Sequence, residues 1–310
     1  MNRTDRFPDF FVVGAPRCGT TAISKYLSDN PNICFSRPKE PHFFSIFQEE
    51  RPDAELKRDY LDLFFPHCTA EYQAIGEGSV SYLYYPRAIE RIQEQNPSAR
   101  FIVMVRNPVD MVHSYHARLL ALMDEEEEDF VRAWHLQKDR ADGKHLPRHC
   151  RTPYLLQYEE VGSMGRHVER IFETAGRENC KVVVFDDFIG DTLAVYRDVL
   201  EFIGTDYDGQ TAFPPVEVSK SYRIRWLQLL LKRPPMRVVK YALNIEQRAR
   251  QKGRKKPLAK RMRKWLIRKN TVVRKRPPLE PQTREMLRQA FAGDIEKLGS
   301  LLQRDLSHWN

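Results

Sequence analysis

Residues 10–21 constrain the fold of this chain more than any other part of the sequence. They begin with a four-residue apolar run, Phe10 to Val13, which has the length of a buried strand. A tight loop with a glycine at each end, Gly14 and Gly19, follows, and a helical pattern begins at Thr20. The N–H groups of such a loop and the positive end of the helix dipole both favour an anion. The segment therefore predicts an anion site at the end of a strand.

The glycine spacing is that of the nucleotide P-loop, in which a lysine follows the second glycine. Thr20 occupies that position here, and the cation lies inside the loop as Arg17. The P-loop lysine contacts the β- and γ-phosphates, so the displaced charge indicates a phosphorylated ligand that is not handled as a nucleoside triphosphate. A turn that merely packs a strand against a helix is the alternative.

The rest of the chain alternates apolar runs with helical patterns. The clearest strands are predicted at 101–105 and 181–185, with weaker ones at 33–35 and 74–77. Helices are expected at 53–65, 86–95, 152–175 and 192–203, and a small-residue loop at 78–82. This rhythm favours a three-layer α/β/α fold with a mostly parallel central sheet. We expect one domain over residues 1–310, with a basic helical segment at 220–276 and a C-terminal helix at 279–309.

Two further groups of polar residues are candidates for chemistry. Arg106 ends the strand 101–105 and precedes a helix that carries Ser114, so it is a candidate for a second anion site. A surface ion pair is the alternative for this arginine. The proline-bounded loop at 36–45 carries Glu40 and His42, either of which could act as a general base. A solvated loop is the alternative there, although the adjacent Phe43 and Phe44 would anchor the loop in a core.

The basic charge is concentrated in one segment. Residues 220–276 contain 22 Lys and Arg but one acid, Glu246, whereas the rest of the chain is net acidic. Short amphipathic stretches at 226–231, 238–243 and 262–267 combine these cations with Trp and Leu, which is typical of helices on anionic membrane surfaces. A cationic surface around an acidic core is the alternative. We expect no nucleic acid partner, because no recognised nucleic-acid module accompanies the charge.

The cysteines and the N-terminus predict a cytoplasmic protein, with peripheral contact of 220–276 at the inner membrane face. Five widely spaced cysteines without a Cys-x-x-Cys pair favour a reducing compartment and argue against disulfides and a zinc ribbon. The first residues contain no apolar signal region, and no run approaches the length of a transmembrane helix. His145, His149 and Cys150 are not expected to bind a metal, because Pro147 interrupts a regular presentation.

Taken together, these motifs resemble those of the sulfotransferases that use 3′-phosphoadenosine-5′-phosphosulfate (PAPS), in the bacterial and heparan-sulfate-type branch. The loop 14–21 is similar to the 5′-phosphosulfate loop of that family, and Arg106 with Ser114 to its 3′-phosphate site. The segment 39–44 resembles the one whose glutamate is the catalytic base. The resemblance implies the fold of P-loop nucleoside triphosphate hydrolases and these donor-binding residues: Pro16, Arg17, Cys18, Gly19, Thr20, Thr21, Arg106, Ser114, Lys220 and Arg223.

The resemblance also implies an activity. A sulfuryl group would pass from PAPS to a hydroxyl or amine of an acceptor, a carbohydrate or a lipid-linked glycan, and would leave 3′,5′-ADP. Glu40 is the expected base, His42 a second candidate for that role, and Arg17 the group that stabilises the leaving phosphate. No metal is expected to take part. The alternatives are a P-loop-type kinase or phosphotransferase and a non-catalytic module that binds a membrane or polyanion.

Two departures limit the resemblance. The heparan-type enzymes carry a lysine where this chain has Gly78, which leaves open what replaces it. The late donor loop of the family matches only loosely at 219–223, and the basic segment after it is longer than expected. Acceptor identity and oligomeric state are not determined by the sequence.

Overall fold

The structure is a computed structural model that describes residues 5–46, 53–150, 152–216, 220–232, 258–273 and 277–309. The chain divides into two compact units. The first comprises Met1–Met111, Glu159–Glu217 and Arg284–Asn310, and the second comprises Val112–Tyr158 and Val218–Thr283. The expectation of one domain over 1–310 stays a prediction.

The first unit contains a five-stranded parallel sheet. Its strands are β1 (Phe10–Gly14), β2 (Ile33–Phe35), β3 (Ala74–Gly78), β4 (Arg100–Val105) and β5 (Cys180–Val184). Their order across the sheet is β2-β3-β1-β4-β5, so β1 lies at the centre, with Phe11 opposite Glu77 on one side and Phe101 on the other. Almost every residue of β1, β3 and β4 is buried, as expected for strands covered on both faces. The predicted α/β fold with a mostly parallel sheet is confirmed.

The helices carry most of the remaining described residues. In chain order they are α1 (Thr20–Asp29), α2 (Phe43–Ile46), α3 (Asp53–Phe64), α4 (Pro86–Gln95), α5 (Pro108–Leu122), α6 (Phe130–His135), α7 (Gln137–Ala141), α8 (Tyr158–Gly162), α9 (Met164–Ala175), α10 (Phe185–Gly190), α11 (Thr192–Ile203), α12 (Arg225–Lys232), α13 (Leu258–Asn270) and α14 (Pro281–Leu302). Short 3₁₀ helices lie at Val80–Tyr84, Pro153–Leu156, Arg177–Asn179 and Ser307–Trp309. No described helix is both long and apolar enough to span a bilayer.

The second unit has a small antiparallel ribbon of its own. Strand β6 (Lys220–Tyr222) pairs with β7 (Thr271–Val273), so that the start of α12 lies beside the end of α13. The amphipathic stretches predicted at 226–231 and 262–267 fall within α12 and α13 and are confirmed as helical. The stretch predicted at 238–243 lies outside the described residues.

Three local predictions were wrong. Residues 152–175 do not form one helix but a 3₁₀ turn followed by α8 and α9. The loop expected at 78–82 is replaced from Val80 onward by the 3₁₀ helix Val80–Tyr84. The expected absence of disulfides is contradicted by a bond between Cys34 and Cys68, whose Cα atoms are 5.7 Å apart. Spacing along the chain could not indicate this pair, because 34 residues separate two cysteines that the fold brings together.

Candidate active site

The loop between β1 and α1 forms a backbone cradle at the carboxyl end of the central strand. Gly19 is the N-cap of α1 and has φ 90°, in the left-handed region, which favours glycine. A Cβ atom at Gly19 would lie 3.2 Å from both Met104 and the ring of Phe185. Arg17 also has a positive φ, 66°. The first N–H groups of a helix have no intrahelical acceptor, so the start of α1 at Thr20 and Thr21 offers donors to an anion. Binding of an anion at this loop stays a prediction.

Arg106 joins this cradle. It directly follows β4, the neighbour of β1, and its Nη1 donates a hydrogen bond of 3.3 Å to the backbone carbonyl of Arg17. Its guanidinium also lies 4.6 Å from the centre of the Phe185 ring, a cation–π distance. The side chain of Asn107 accepts from the N–H of Val109 and so caps the start of α5.

Cys18 is a buried cysteine of the cradle, and its pKa reflects the charges nearby. Burial raises the pKa of its thiol to about 12, and the nearby guanidinium groups of Arg106 and Arg17 act in the opposite direction without overcoming it. The thiol is therefore neutral and unreactive. Two guanidinium groups close enough to favour a negative charge at Cys18 indicate that this loop is suited to an anion.

The loop predicted to carry the base is fixed to the core of the first unit. Phe43 and Phe44 are almost fully buried, and each ring lies about 5 Å from the ring of Tyr60. Their anchoring role is confirmed. Just before them, the carboxylate of Glu40 lies 2.9 Å from Nζ of Lys39 and 3.5 Å from Nε2 of His42. Burial opposes ionisation of Glu40, but the His42 and Lys39 contacts outweigh it and lower the pKa to about 2.

His42 is held by two serines, one at its ring and one at its backbone. Its Nδ1 lies 2.7 Å from the hydroxyl of Ser81, and its backbone N–H donates to the hydroxyl of Ser79 over 2.9 Å. Ser81 in turn lies 2.7 Å from the hydroxyl of Ser45. The sequence predicted this stretch only as a small-residue loop and did not indicate either serine as a partner of His42. Two serines just after a strand were the available signal, but they lie 37 and 39 residues from His42.

Two side chains, those of Ser24 and Lys39, lie close to Gly78. A Cβ atom at Gly78 would lie 2.8 Å from the hydroxyl of Ser24 and 3.6 Å from Cε of Lys39. The stem of Lys39 thus passes over the glycine, and its ammonium group reaches Glu40. Gly78 therefore leaves room for the Ser24 hydroxyl, and the stem of Lys39 lies at van der Waals distance from the same position.

Glu77 is a buried carboxyl beneath this loop. It is fully buried, and the hydroxyls of Tyr60 and Tyr82 both donate to its Oε2, the second over 3.1 Å. Its other oxygen, Oε1, has no hydrogen-bond partner among the described residues. Burial raises the pKa of Glu77 to about 7, although the nearby hydroxyls of Ser79, Tyr60 and Tyr82 act in the opposite direction. The sequence did not single out Glu77 as an ionisable group of the core.

Three predicted donor-binding residues belong to the second unit. Ser114 is a buried residue of α5, Lys220 is the first residue of β6, and Arg223 follows that strand with an exposed side chain. The grouping of these residues with Arg17 and Arg106 of the first unit stays a prediction.

One cluster of possible metal ligands occurs in the part of the chain that the structure describes. Sulfur or nitrogen atoms of Cys34, His67 and Cys68 lie within 4.8 Å of one another. The two cysteines are joined in the disulfide, so neither offers a thiolate. Nε2 of His67 lies 3.1 Å from the carbonyl of Phe35. This group is thus a cross-link beside β2 rather than a metal centre.

The fold and the cradle define a class of protein. A parallel α/β sheet with a glycine-bounded loop after its central strand, and an arginine after the next strand, is the arrangement of a P-loop-like α/β protein. Residues 7–299 match the family model described as the sulfotransferase domain. The chain belongs to the sulfotransferase family.

Particular relatives are similar over parts or all of the chain. A crystal structure of a sulfotransferase from Alicyclobacillus acidocaldarius is 28% identical, with a TM-score of 0.65 and coverage of 98% of this chain and 99% of that one. Carbohydrate sulfotransferase 15 of Homo sapiens is 30% identical over 34% of this chain and 26% of its own length. Bifunctional heparan sulfate N-deacetylase/N-sulfotransferase 2 of Homo sapiens is 31% identical over 36% and 13%. The chain thus spans about a quarter or less of the curated relatives it matches.

Proposed function

We propose that this sulfotransferase takes its sulfuryl group from PAPS and transfers it to a hydroxyl or amine of a carbohydrate acceptor. The observation that carries the proposal is the position of three groups along one edge of the sheet. The cradle follows β1, Arg106 follows β4, and the Lys39–Glu40 pair lies over Gly78 at the end of β3. These strands are adjacent and parallel, and strands lie about 5 Å apart. Ligands of open α/β sheets bind at this edge.

The residues of the cradle fit a phosphosulfate. A donor of this kind supplies a sulfuryl group attached to a phosphate, and it carries negative charge at both its 5′ and 3′ ends. Arg17 and the N–H groups of Gly19, Thr20 and Thr21 would hold the 5′ end and stabilise the charge that develops on the departing phosphate. Arg106, together with Ser114, would hold the 3′-phosphate. Thr20 in place of the P-loop lysine argues against a nucleoside triphosphate in the same cradle.

Glu40 is the proposed general base. As the acceptor oxygen or nitrogen forms its bond to sulfur and the bond from sulfur to the phosphate oxygen breaks, the acceptor proton must leave. The Glu40 carboxylate is ionised at any physiological pH, because its pKa is lowered to about 2. The same low pKa makes it a weak base. We infer that the acceptor displaces part of the contact with Lys39 or His42, so that Glu40 becomes more basic when substrate is bound.

A carbohydrate acceptor is supported by two relatives, a carbohydrate sulfotransferase and a heparan sulfate N-deacetylase/N-sulfotransferase. The test has two parts. Calorimetry should show binding of 3′,5′-ADP and none of ATP with Mg²⁺. Incubation with radiolabelled PAPS and a panel of oligosaccharides, lipid-linked glycans and phenols should label a glycan. Binding of ATP with Mg²⁺ instead would favour a phosphotransferase, and labelling of phenols alone would reject the carbohydrate acceptor.

A further inference from the structure

The helices α12 and α13 of the second unit display large apolar side chains to solvent. Trp226 is 68% and Leu230 51% exposed on α12, while Met262 is 57% and Trp265 55% exposed on α13. Residues at i, i+3 or i+4 lie on one side of a helix, so each helix carries a row of two such side chains. Exposed apolar groups in this number usually mark an interaction site.

These rows face away from the interior of the second unit. On α12 the opposite side carries Gln228 and Leu231, both buried, and the Gln228 amide donates to the carbonyl of Ala121. The two helices are joined where Nε of Arg263 donates to the carbonyl of Leu231 over 2.8 Å. Asn270, at the end of α13, is buried and lies 3.2 Å from the side chain of Gln228. The two helices are therefore held to the second unit by hydrogen bonds and by the buried side chain of Leu231. Their rows of exposed apolar side chains lie on the solvent side.

The apolar rows are surrounded by positive charge. Exposed cations on or next to the two helices include Arg223, Lys264, Arg268 and Lys269. Arg225 is also exposed, but its Nη1 lies 3.6 Å from the carboxylate of Glu128. Lys269 lies 6.0 Å from the centre of the Trp265 ring. Across residues 220–276 the sequence has 22 Lys and Arg against one acid. A surface that combines tryptophan, leucine and methionine with clustered cations matches both parts of an anionic bilayer, its headgroups and its acyl boundary.

We propose that the exposed face of α12 and α13 docks on the surface of an anionic lipid bilayer, with Trp226, Leu230, Met262 and Trp265 inserted at the acyl boundary. A nucleic acid or a soluble polyanion would leave Leu230 and Met262 without a partner. A second copy of this chain would bring like charges together, which opposes association. The proposal is independent of the donor and acceptor assigned above, because its tests require no sulfuryl transfer.

The tryptophan positions make the proposal directly measurable. The chain has four tryptophans, and the other two, Trp134 and Trp309, are 7% and 2% exposed. Binding of the full chain to phosphatidylcholine vesicles that contain phosphatidylglycerol should shift the emission to shorter wavelength. Brominated acyl chains should quench it. Vesicles of phosphatidylcholine alone should bind weakly, and salt should weaken binding to the anionic vesicles.

Variants separate this surface from the rest of the protein. Trp226→Ala combined with Trp265→Ala should abolish the emission shift and reduce co-sedimentation with anionic vesicles. Lys264→Gln combined with Arg268→Gln should weaken partitioning roughly twenty-five-fold, because each cation near an anionic surface contributes about five-fold. The matched control is Leu63→Ala combined with Ile189→Ala. Both residues are exposed apolar side chains of the first unit, at 59% and 63%, and their removal should leave binding unchanged.

Several results would overturn the proposal. The proposal is wrong if the wild-type protein does not sediment with anionic vesicles. It is also wrong if the double tryptophan variant, with an unchanged circular dichroism spectrum, binds these vesicles as well as the wild type does. A dimer in sedimentation velocity that the tryptophan variant dissociates would show that a second copy covers this face. Binding to heparin or DNA without quenching by brominated lipid would assign the charge to a soluble polyanion.

Discussion

Nη1 of Arg106 donates to the backbone carbonyl of Arg17, and the two residues belong to loops that follow adjacent strands. The contact fixes the guanidinium of Arg106 beside the cradle while leaving its other N–H groups able to meet an anion. The ring of Phe185 supports the same guanidinium from its face. The position of Arg106 therefore depends on its planar, forked geometry as well as on its charge.

Arg106→Ala should weaken the binding of 3′,5′-ADP by about ten- to one-hundred-fold, because a hydrogen bond to a charged group contributes about 1.5–3 kcal/mol. Arg106→Lys should recover little of this loss, since an ammonium group lacks the fork that reaches both the carbonyl and an anion. Calorimetry measures both. Arg87→Ala, at an exposed arginine of α4, is the control and should bind normally. Equal affinities of the alanine, lysine and wild-type proteins would contradict the assignment.

Glu40→Gln should lower kcat by about 10²–10⁴, the usual contribution of a general base, with the affinity for 3′,5′-ADP unchanged. Initial rates with labelled donor and calorimetry test the two parts. Because the pKa of Glu40 in the free enzyme is lowered to about 2, kcat/KM should show no acid limb from this group near pH 4 to 5. Glu55→Gln, on the exposed surface of α3, is the matched control. Full turnover by Glu40→Gln would remove Glu40 from the mechanism.

Glu77 should make the protein less stable as the pH rises. The pKa of Glu77 is raised from 4.5 to about 7 in the folded state, so the folded protein holds a proton that the unfolded chain has lost between these values. The stability from this group is complete below pH 4.5 and is lost as the pH rises through 7. The loss is about 3 kcal/mol, at about 1.4 kcal/mol for each pKa unit. Urea unfolding of wild type and Glu77→Gln from pH 5 to pH 8 measures it.

In the Glu77→Gln variant, the free energy of unfolding should fall less steeply with pH, because the glutamine amide does not titrate in this range. Its amide oxygen can still accept from Tyr60 and Tyr82. Glu55→Gln should keep the wild-type slope. Identical slopes in wild type and Glu77→Gln would show that Glu77 is ionised in the folded protein across this range.

The Cys34–Cys68 bond predicts a thiol count. Cys18, Cys150 and Cys180 are free, so protein unfolded in urea without reductant should show three thiols with Ellman's reagent and five after reduction. Reduction should also lower the free energy of unfolding by roughly 3–4 kcal/mol, the loop-closure effect of a cross-link over a loop of this size. A Cys150→Ser variant should lower both thiol counts by one and unfold as the wild type does. Five thiols before reduction would exclude the bond.

Residues 10–21 were sufficient to predict the strand, the loop and the helix of the cradle. The reason is that strand length, glycine at a left-handed position and the helical pattern are all local properties. The strand at 101–105 and the anchoring by Phe43 and Phe44 could also be predicted, since each depends on a few consecutive residues. At 152–175 the helical pattern is continuous and does not reveal the breaks between separate helices.

Only the tertiary structure decided which distant residues pair with one another. The sequence by itself determined which groups could bind an anion or accept a proton, Arg17, Glu40, His42 and Arg106 among them. It could not show that Ser79 and Ser81 hold His42, that Lys39 lies over Gly78, or that Cys34 meets Cys68. Nor could it show that Glu77 lies fully buried with a raised pKa. Burial and long-range contact arise when strands far apart in the chain become neighbours in the sheet, and no local pattern encodes that distance.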